Sequence, residues 1–84
     1  MRHFVFWFPD ADERLQKIVA QSDDKPTMAR VINHLDRCLS RYPQKFGESR
    51  FENVRVGFVP PLGVQFEILD DPATVIVMDV WRTR

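Results

Sequence analysis

The sequence of 84 residues has a single cysteine, no net charge and no long apolar run. Because the lone Cys38 cannot form an intrachain disulfide, the fold must be held by its core, as is typical of a reducing compartment. The balance of 12 Lys and Arg against 12 Asp and Glu argues against a protein that binds polyanions through excess positive charge. No apolar run approaches the ~18 residues of a membrane helix, and residues 4–8 are too few for the core of a signal peptide. We therefore expect a cytoplasmic domain that has no membrane partner.

Large apolar side chains are abundant for so short a chain. It contains seven Phe, two Trp and one Tyr, and 44% of its residues are apolar. A chain of this length suits one domain with one modest core, and its composition is that of a folded protein rather than a disordered tail. No repeat, low-complexity stretch or linker interrupts it. Residues 1–84 are therefore expected to form a single domain.

The first half predicts a strand followed by two helices. Residues 4–8, Phe-Val-Phe-Trp-Phe, indicate a strand buried on both faces and closed by Pro9. Asp10 and Glu13 are spaced as in a capping box and predict the start of a short helix. Thr27 is expected to cap a second helix that ends before Pro43. The apolar positions of that helix recur at helical spacing: Met28, Val31, Ile32, Leu35, Leu39 and Tyr42.

The second half predicts three strands. Residues 54–59, 64–68 and 74–81 alternate or are rich in β-branched residues, and short turns join them. An antiparallel meander is the economical topology. The predicted fold class is α+β with order β-α-α-β-β-β, a helical hairpin packed on one face of a mainly antiparallel sheet. The other face is expected to be open to a ligand or partner and to carry Arg55, Gln65, Glu67, Asp79, Val75, Val77 and Trp81.

With these elements in place, the sequence resembles the RelE/ParE superfamily of toxins from bacterial type II toxin–antitoxin systems. The residues that carry the resemblance are Pro9-Asp-Ala-Asp-Glu-Arg-Leu15, Leu39-Ser-Arg-Tyr-Pro43, Phe46-Gly-Glu-Ser-Arg50, the two central strands of residues 55–68, and the closing Val75-Ile-Val-Met-Asp-Val-Trp-Arg82. The resemblance covers nearly the whole chain. It implies the same fold, an antitoxin as partner, and no cofactor.

Members of this superfamily divide into ribosome-dependent mRNA endonucleases, gyrase inhibitors and proteins without demonstrated activity. The first class implies the ribosome and mRNA as partners, the second implies DNA gyrase, and the third implies only the antitoxin. We take mRNA cleavage as the leading hypothesis. The alternative is a non-enzymatic protein, either a gyrase inhibitor or an inactive relative that still binds an antitoxin.

For the endonuclease hypothesis, the resemblance implies that Arg55 and Arg82 are catalytic, because fixed cations must stabilise the pentacovalent phosphate. Arg50, Arg84 and Trp81 are the candidate substrate-binding residues. The four arginines could converge as a phosphate cradle, with Glu48 or Glu67 as a general base. The competing interpretation is that Arg55 pairs with Glu67 or Asp79 across the sheet.

The sequence departs from the endonuclease pattern at three positions. Gly57 and Gly63 stand where the resemblance implies basic residues, and no Tyr follows Arg82. These departures favour the non-enzymatic alternative.

The second helix carries two further patterns. Its polar face bears Arg30, His34, Arg37 and Arg41, which could dock an acidic helix or nucleic acid but equally suit a solvated face. His34 and Cys38 lie one helical turn apart, as two metal ligands would. Since no further ligands accompany them, we expect a structural thiol beside a surface histidine and no metal site.

Overall fold

The computed structural model describes residues 2–83, and these form a sheet with helices on one side. In chain order the elements are β1 (Phe4–Trp7), α1 (Pro9–Ala20), α2 (Lys25–Arg41), α3 (Pro43–Phe46), β2 (Glu48–Phe51), β3 (Val54–Val59), β4 (Leu62–Asp70) and β5 (Ala73–Arg82). The predicted α+β class is confirmed. The sequence did not predict α3 or β2. Each has only four residues, and all four residues of β2 are exposed, so neither carries an apolar periodicity.

The five strands lie in the order β1-β5-β4-β3-β2. The meander of the last three strands is confirmed, because β4 pairs antiparallel with both β3 and β5. The added strand β2 pairs antiparallel with β3, and β1 pairs parallel with β5. The first and second strands of the chain therefore form the two edges of the sheet.

Both long helices begin before their predicted caps. The helix α1 begins at Pro9 and its N-cap Phe8 makes no side-chain cap, so the predicted capping box at Asp10 is wrong. Proline suits this first position because its φ is already helical and its missing N–H would have no helical partner. The cap of α2 is Asp24 rather than Thr27, since the Asp24 carboxylate accepts hydrogen bonds from the Thr27 hydroxyl at 2.7 Å and from its N–H at 3.1 Å.

These bonds from the Thr27 hydroxyl and N–H lower the pKa of Asp24 below its ordinary value. The cap therefore stabilises the fold above the pKa of the unfolded state, and this contribution is lost as the pH falls through the lower folded value. We expect Asp24→Ala to lower the melting temperature at about pH 7, and the difference from the wild type to shrink towards about pH 3. Circular dichroism melts test this, with Asp23→Ala as the exposed neighbouring control. Equal losses at both pH values would contradict it.

The core lies between the helices and one face of the sheet. The helices contribute Ala11, Leu15, Ile18, Met28, Leu35 and Leu39, while the sheet contributes Leu62, Val64, Phe66, Ile68, Val75, Val77 and Val80. The sequence placed Val75 and Val77 on the open face, which is wrong, because both are fully buried. A register shift between Gln65 and Phe66 of β4 explains the error. Val77 and Val80 are three positions apart and would lie on opposite faces of a regularly alternating strand, yet both face the helices.

Among residues 2–83, no helix is long and apolar enough to cross a membrane.

Candidate functional site: the open sheet face and its β1 edge

The sequence had predicted that Arg55 lies on the open face. In the structure it lies on the helix-covered side of the sheet. Its register partner on β4 is Phe66, a core residue, and residues directly opposite on antiparallel strands share a face. The Arg55 Nη2 group donates a hydrogen bond to the Gly47 carbonyl, and its Nε atom is buried without a partner among residues 2–83. The predicted cross-strand pairing of Arg55 is therefore wrong. Glu67 is opposite Val54, and Asp79 pairs instead with Arg14 of α1.

Arg82 lies far from Arg55. It is exposed at the end of β5 opposite Leu62, which is itself opposite Val59 on β3. The offset from Val59 to Arg55 is four residues, or about 13 Å along a strand, and two strand spacings add about 10 Å across the sheet. The two arginines are thus about 16 Å apart at their Cα atoms, and the guanidinium of Arg55 is held by the Gly47 carbonyl, directly before β2.

The remaining predicted arginines do not complete a cradle. Arg50 is on β2, next to the strand of Arg55, but its side chain is exposed and pairs with Glu48 at 3.5 Å. Arg84 lies outside the described residues. Of Arg50, Arg55 and Arg82, only Arg50 and Arg55 lie on neighbouring strands near each other. Their catalytic and binding roles stay predictions.

Trp81, a predicted substrate-binding residue, covers Gly63 on the open face. A Cβ atom added to Gly63 would lie 2.6 Å from Cε2 of the Trp81 indole, far inside normal contact. Phe58 packs edge-on against the same indole, with ring centroids 6.1 Å apart and an angle of 79° between the planes. Trp81 therefore has a packing role that the sequence did not reveal, and its proposed contact with substrate stays a prediction.

Gly57 is covered in the same way on the opposite face. A Cβ atom there would lie 2.7 Å from Cδ2 of Phe46, whose ring stacks on Phe66 with centroids 5.8 Å apart. Gly57 and Gly63 are the two positions at which the resemblance implies basic residues. In this chain both lie beneath aromatic rings, which leaves no room for a longer side chain without displacing them.

A row of exposed aromatic residues on β1 is the main feature that the sequence missed. The exposed fractions are 77% for Phe4, 53% for Phe6 and 43% for Phe8, so the predicted burial of both faces of this strand is wrong. The intervening Val5 and Trp7 pack against the core on the helix side. The alternation of phenylalanine at positions 4, 6 and 8 was the available signal. Three adjacent exposed aromatic side chains are costly in water and are typical of a surface that a partner covers.

The backbone of β1 also offers unpaired groups. Phe8 donates its N–H to the Val77 carbonyl of β5 at 3.0 Å. Since backbone groups alternate in direction along a strand, the N–H and C=O groups of Val5 and Trp7 point away from β5. No other strand of residues 2–83 lies on that side, and α2 approaches it only at the start, where the Ser40 carbonyl accepts the His3 N–H. The exposed phenylalanines and this open edge together form a surface suited to a partner that adds a strand.

The predicted metal ligands on α2 form only a contact pair. The Cys38 Sγ atom lies 3.8 Å from Nε2 of His34, and burial raises the pKa of the thiol against the opposing effect of Arg37. Residues 2–83 contain no group of three His, Cys, Asp or Glu side chains that could hold a metal ion.

No protein-family model and no curated protein matches the chain. Several solved structures do match the chain. A chain of the toxin–antitoxin complex RelBE2 from Mycobacterium tuberculosis is 19% identical with a TM-score of 0.78, and the match covers 98% of this chain and 92% of that one. A chain of the chromosomal ParDE TA system from P. aeruginosa is 13% identical with a TM-score of 0.62, covering 99% and 98%. A conserved hypothetical protein from Helicobacter pylori is 14% identical with a TM-score of 0.61, covering 95% and 93%. Over nearly its whole length the chain therefore has the RelE/ParE toxin fold.

Proposed function

We propose that the chain is the toxin-like component of a bacterial type II toxin–antitoxin system, and that the antitoxin covers β1 in the cytoplasm. The observation that carries the proposal is the row of exposed phenylalanines beside an open strand edge. A partner strand paired with the backbone of Val5 and Trp7 would satisfy the free N–H and C=O groups. Its apolar side chains would at the same time remove Phe4 and Phe6 from water. The fold likeness to chains from two toxin–antitoxin systems supports an antitoxin as that partner.

We further propose that the chain is non-enzymatic and does not cleave mRNA. Cleavage requires cations fixed around one phosphate, where charge develops in the transition state. Arg55 is committed to the Gly47 carbonyl, and Arg82 lies about 16 Å from it by strand geometry. Gly57 and Gly63 lie beneath Phe46 and Trp81 and supply no charge. This arrangement favours a binding protein over a ribonuclease.

Under this proposal a small reading frame encoding the antitoxin should adjoin that of the chain, and expression of the chain with and without it tests both statements. We expect the product of that reading frame to co-purify with the chain as a stoichiometric complex. Transcripts from cells that express the chain alone should show no new cleavage ends, and Arg55→Ala with Arg82→Ala should leave the transcripts unchanged. A supercoiling assay with purified gyrase then separates a gyrase inhibitor from a protein that binds only its antitoxin.

Two results would overturn these proposals separately. Failure of the two proteins to co-purify removes the antitoxin partner. New transcript ends that disappear in the Arg55→Ala, Arg82→Ala variant restore mRNA cleavage as the function.

A further inference from the structure

A cationic groove runs between the start of β1 and the second half of α2. The His3 N–H donates to the Ser40 carbonyl at 2.7 Å, which holds the two elements together. One cavity of about 400 Å³ is lined by Arg2, His3, Phe4, Val5, Asp36 and Ser40. A second cavity of about 290 Å³ shares Arg2, Asp36 and Ser40 and adds Asn33, Arg37 and Arg41. Because the two cavities share three residues, they form one continuous surface, which we call the Arg2–Arg41 groove.

The charge in this groove is not balanced within the described chain. Arg2, Arg37 and Arg41 contribute three positive charges against the single carboxylate of Asp36. None of these arginines lies within ion-pair distance of a carboxylate among residues 2–83, whereas Arg14 and Arg50 are both paired. Arg37 and Arg41 are one helical turn apart and therefore point in the same direction. The groove thus presents free guanidinium groups suited to an anion with several oxygen atoms.

An exposed aromatic ring lines the first of the two cavities together with Arg2. Phe4 lines the groove and is 77% exposed, and Tyr42, which follows Arg41 directly, is 52% exposed. Rings of this kind stack on the bases of nucleotides, and arginines beside them contact the phosphates. A carboxylate ligand would use the arginines but would gain nothing from stacking on a ring.

We propose that the Arg2–Arg41 groove binds a nucleotide unit, with its phosphate on Arg37 and Arg41 and its base against Phe4. The shared chemistry is a phosphate joined to a base, supplied either by a free nucleotide or by a single-stranded nucleic acid. This inference does not require mRNA cleavage, and it applies to the chain without its antitoxin, because Phe4 and Val5 belong to both surfaces. It also agrees with zero net charge, because the affinity arises from a few placed arginines and not from overall charge.

The test is direct binding of four probes to the full chain without its partner: AMP, inorganic phosphate, a short fluorescent oligoadenylate and polyglutamate. The double substitution Arg37→Gln, Arg41→Gln should weaken binding at least about tenfold, because each substitution removes a charge-assisted hydrogen bond to the phosphate. The matched control is Arg30→Gln. Arg30 is on the polar face of the same helix but donates to Thr27 at 3.1 Å and does not line the groove. We expect it to change binding by less than about twofold.

Salt dependence adds a readout that loss of stability would not change. For the oligoadenylate, loss of the one phosphate held by Arg37 and Arg41 should reduce the slope of log affinity against log salt by about 0.7. Binding of AMP as well as the oligomer identifies free nucleotide as a ligand, and binding of the oligomer alone identifies a polymer.

Three outcomes would overturn the inference. They are the absence of binding tighter than about 1 mM to either nucleotide probe, an equal loss in Arg30→Gln, and an equally arginine-dependent affinity for polyglutamate. The last result would assign the groove to an acidic peptide.

Discussion

Replacing Phe4 and Phe6 together with Ser should weaken antitoxin binding by at least about 100-fold. An aromatic side chain at the centre of an interface typically contributes about 2 kcal/mol or more, and 1.4 kcal/mol corresponds to a tenfold change in affinity. Both rings are more than half exposed in the free chain, so their loss should change the free energy of unfolding little. Titration calorimetry with the purified product of the adjoining reading frame measures the effect.

The matched control for this prediction is Phe51→Ser. Phe51 is 60% exposed and lies on β2, the opposite edge of the same sheet. We expect its replacement to change the affinity by less than about threefold. If Phe51→Ser weakens binding as strongly as the double substitution, the partner covers the β2 edge instead. If neither variant loses affinity, the open face is not the interface.

The β1 surface also shows why a sequence can predict a strand but not its surroundings. The run from Phe4 to Phe8 has apolar residues at every position, which predicts burial on both faces. The structure covers only the face that bears Val5 and Trp7. An apolar run cannot distinguish a face covered by the chain's own helices from a face covered by another protein, because both remove the same side chains from water. The strand itself was therefore predicted correctly, whereas its predicted burial on both faces was wrong.

The elements predicted most successfully are those with a long and regular pattern. The helix α2 has apolar residues at helical spacing over its whole length, and it ends before Pro43 as expected. The first half of β5 was assigned to the wrong faces although Val80 was placed correctly, because the register shift beside Phe66 changes the alternation without any special residue to mark it. Local geometry of this kind depends on the neighbouring strand and so cannot be read from β5 alone.

The side on which Arg55 lies was missed for a related reason. Val54, Val56 and Phe58 form the apolar set of β3, so simple alternation predicts that they face the core and that Arg55 faces outward. In the structure Phe46 of α3 fills the helix side above Gly57, and α3 is too short to have been predicted. The candidate catalytic residues could be named from the sequence, whereas the side of the sheet on which Arg55 lies depends on the packing of Phe46 and α3.

The ring of Phe46 packs directly on Gly57, so the stability of the fold should be sensitive to any side chain at that position. Gly57→Ala should lower the free energy of unfolding by about 2–3 kcal/mol, measured by urea denaturation. The added Cβ would lie 2.7 Å from Cδ2 of Phe46, and that ring cannot retreat because it stacks on the fully buried Phe66. The stabilisation of about 0.4–1 kcal/mol that alanine brings by restricting the unfolded chain is too small to offset this clash.

Gly63→Ala is the matched control, since its Cβ would lie equally close to a ring, 2.6 Å from Cε2 of Trp81. Trp81 lies on the open face and can tilt outward, so we expect this substitution to cost less than about 1 kcal/mol. In a Phe46→Leu background the cost of Gly57→Ala should also fall, because the smaller side chain frees the space, and a double-mutant cycle measures that coupling. If Gly57→Ala lowers the free energy of unfolding no more than Gly63→Ala does, the ring of Phe46 moves aside easily. In that case the contact with Phe46 would not explain why position 57 lacks a basic side chain.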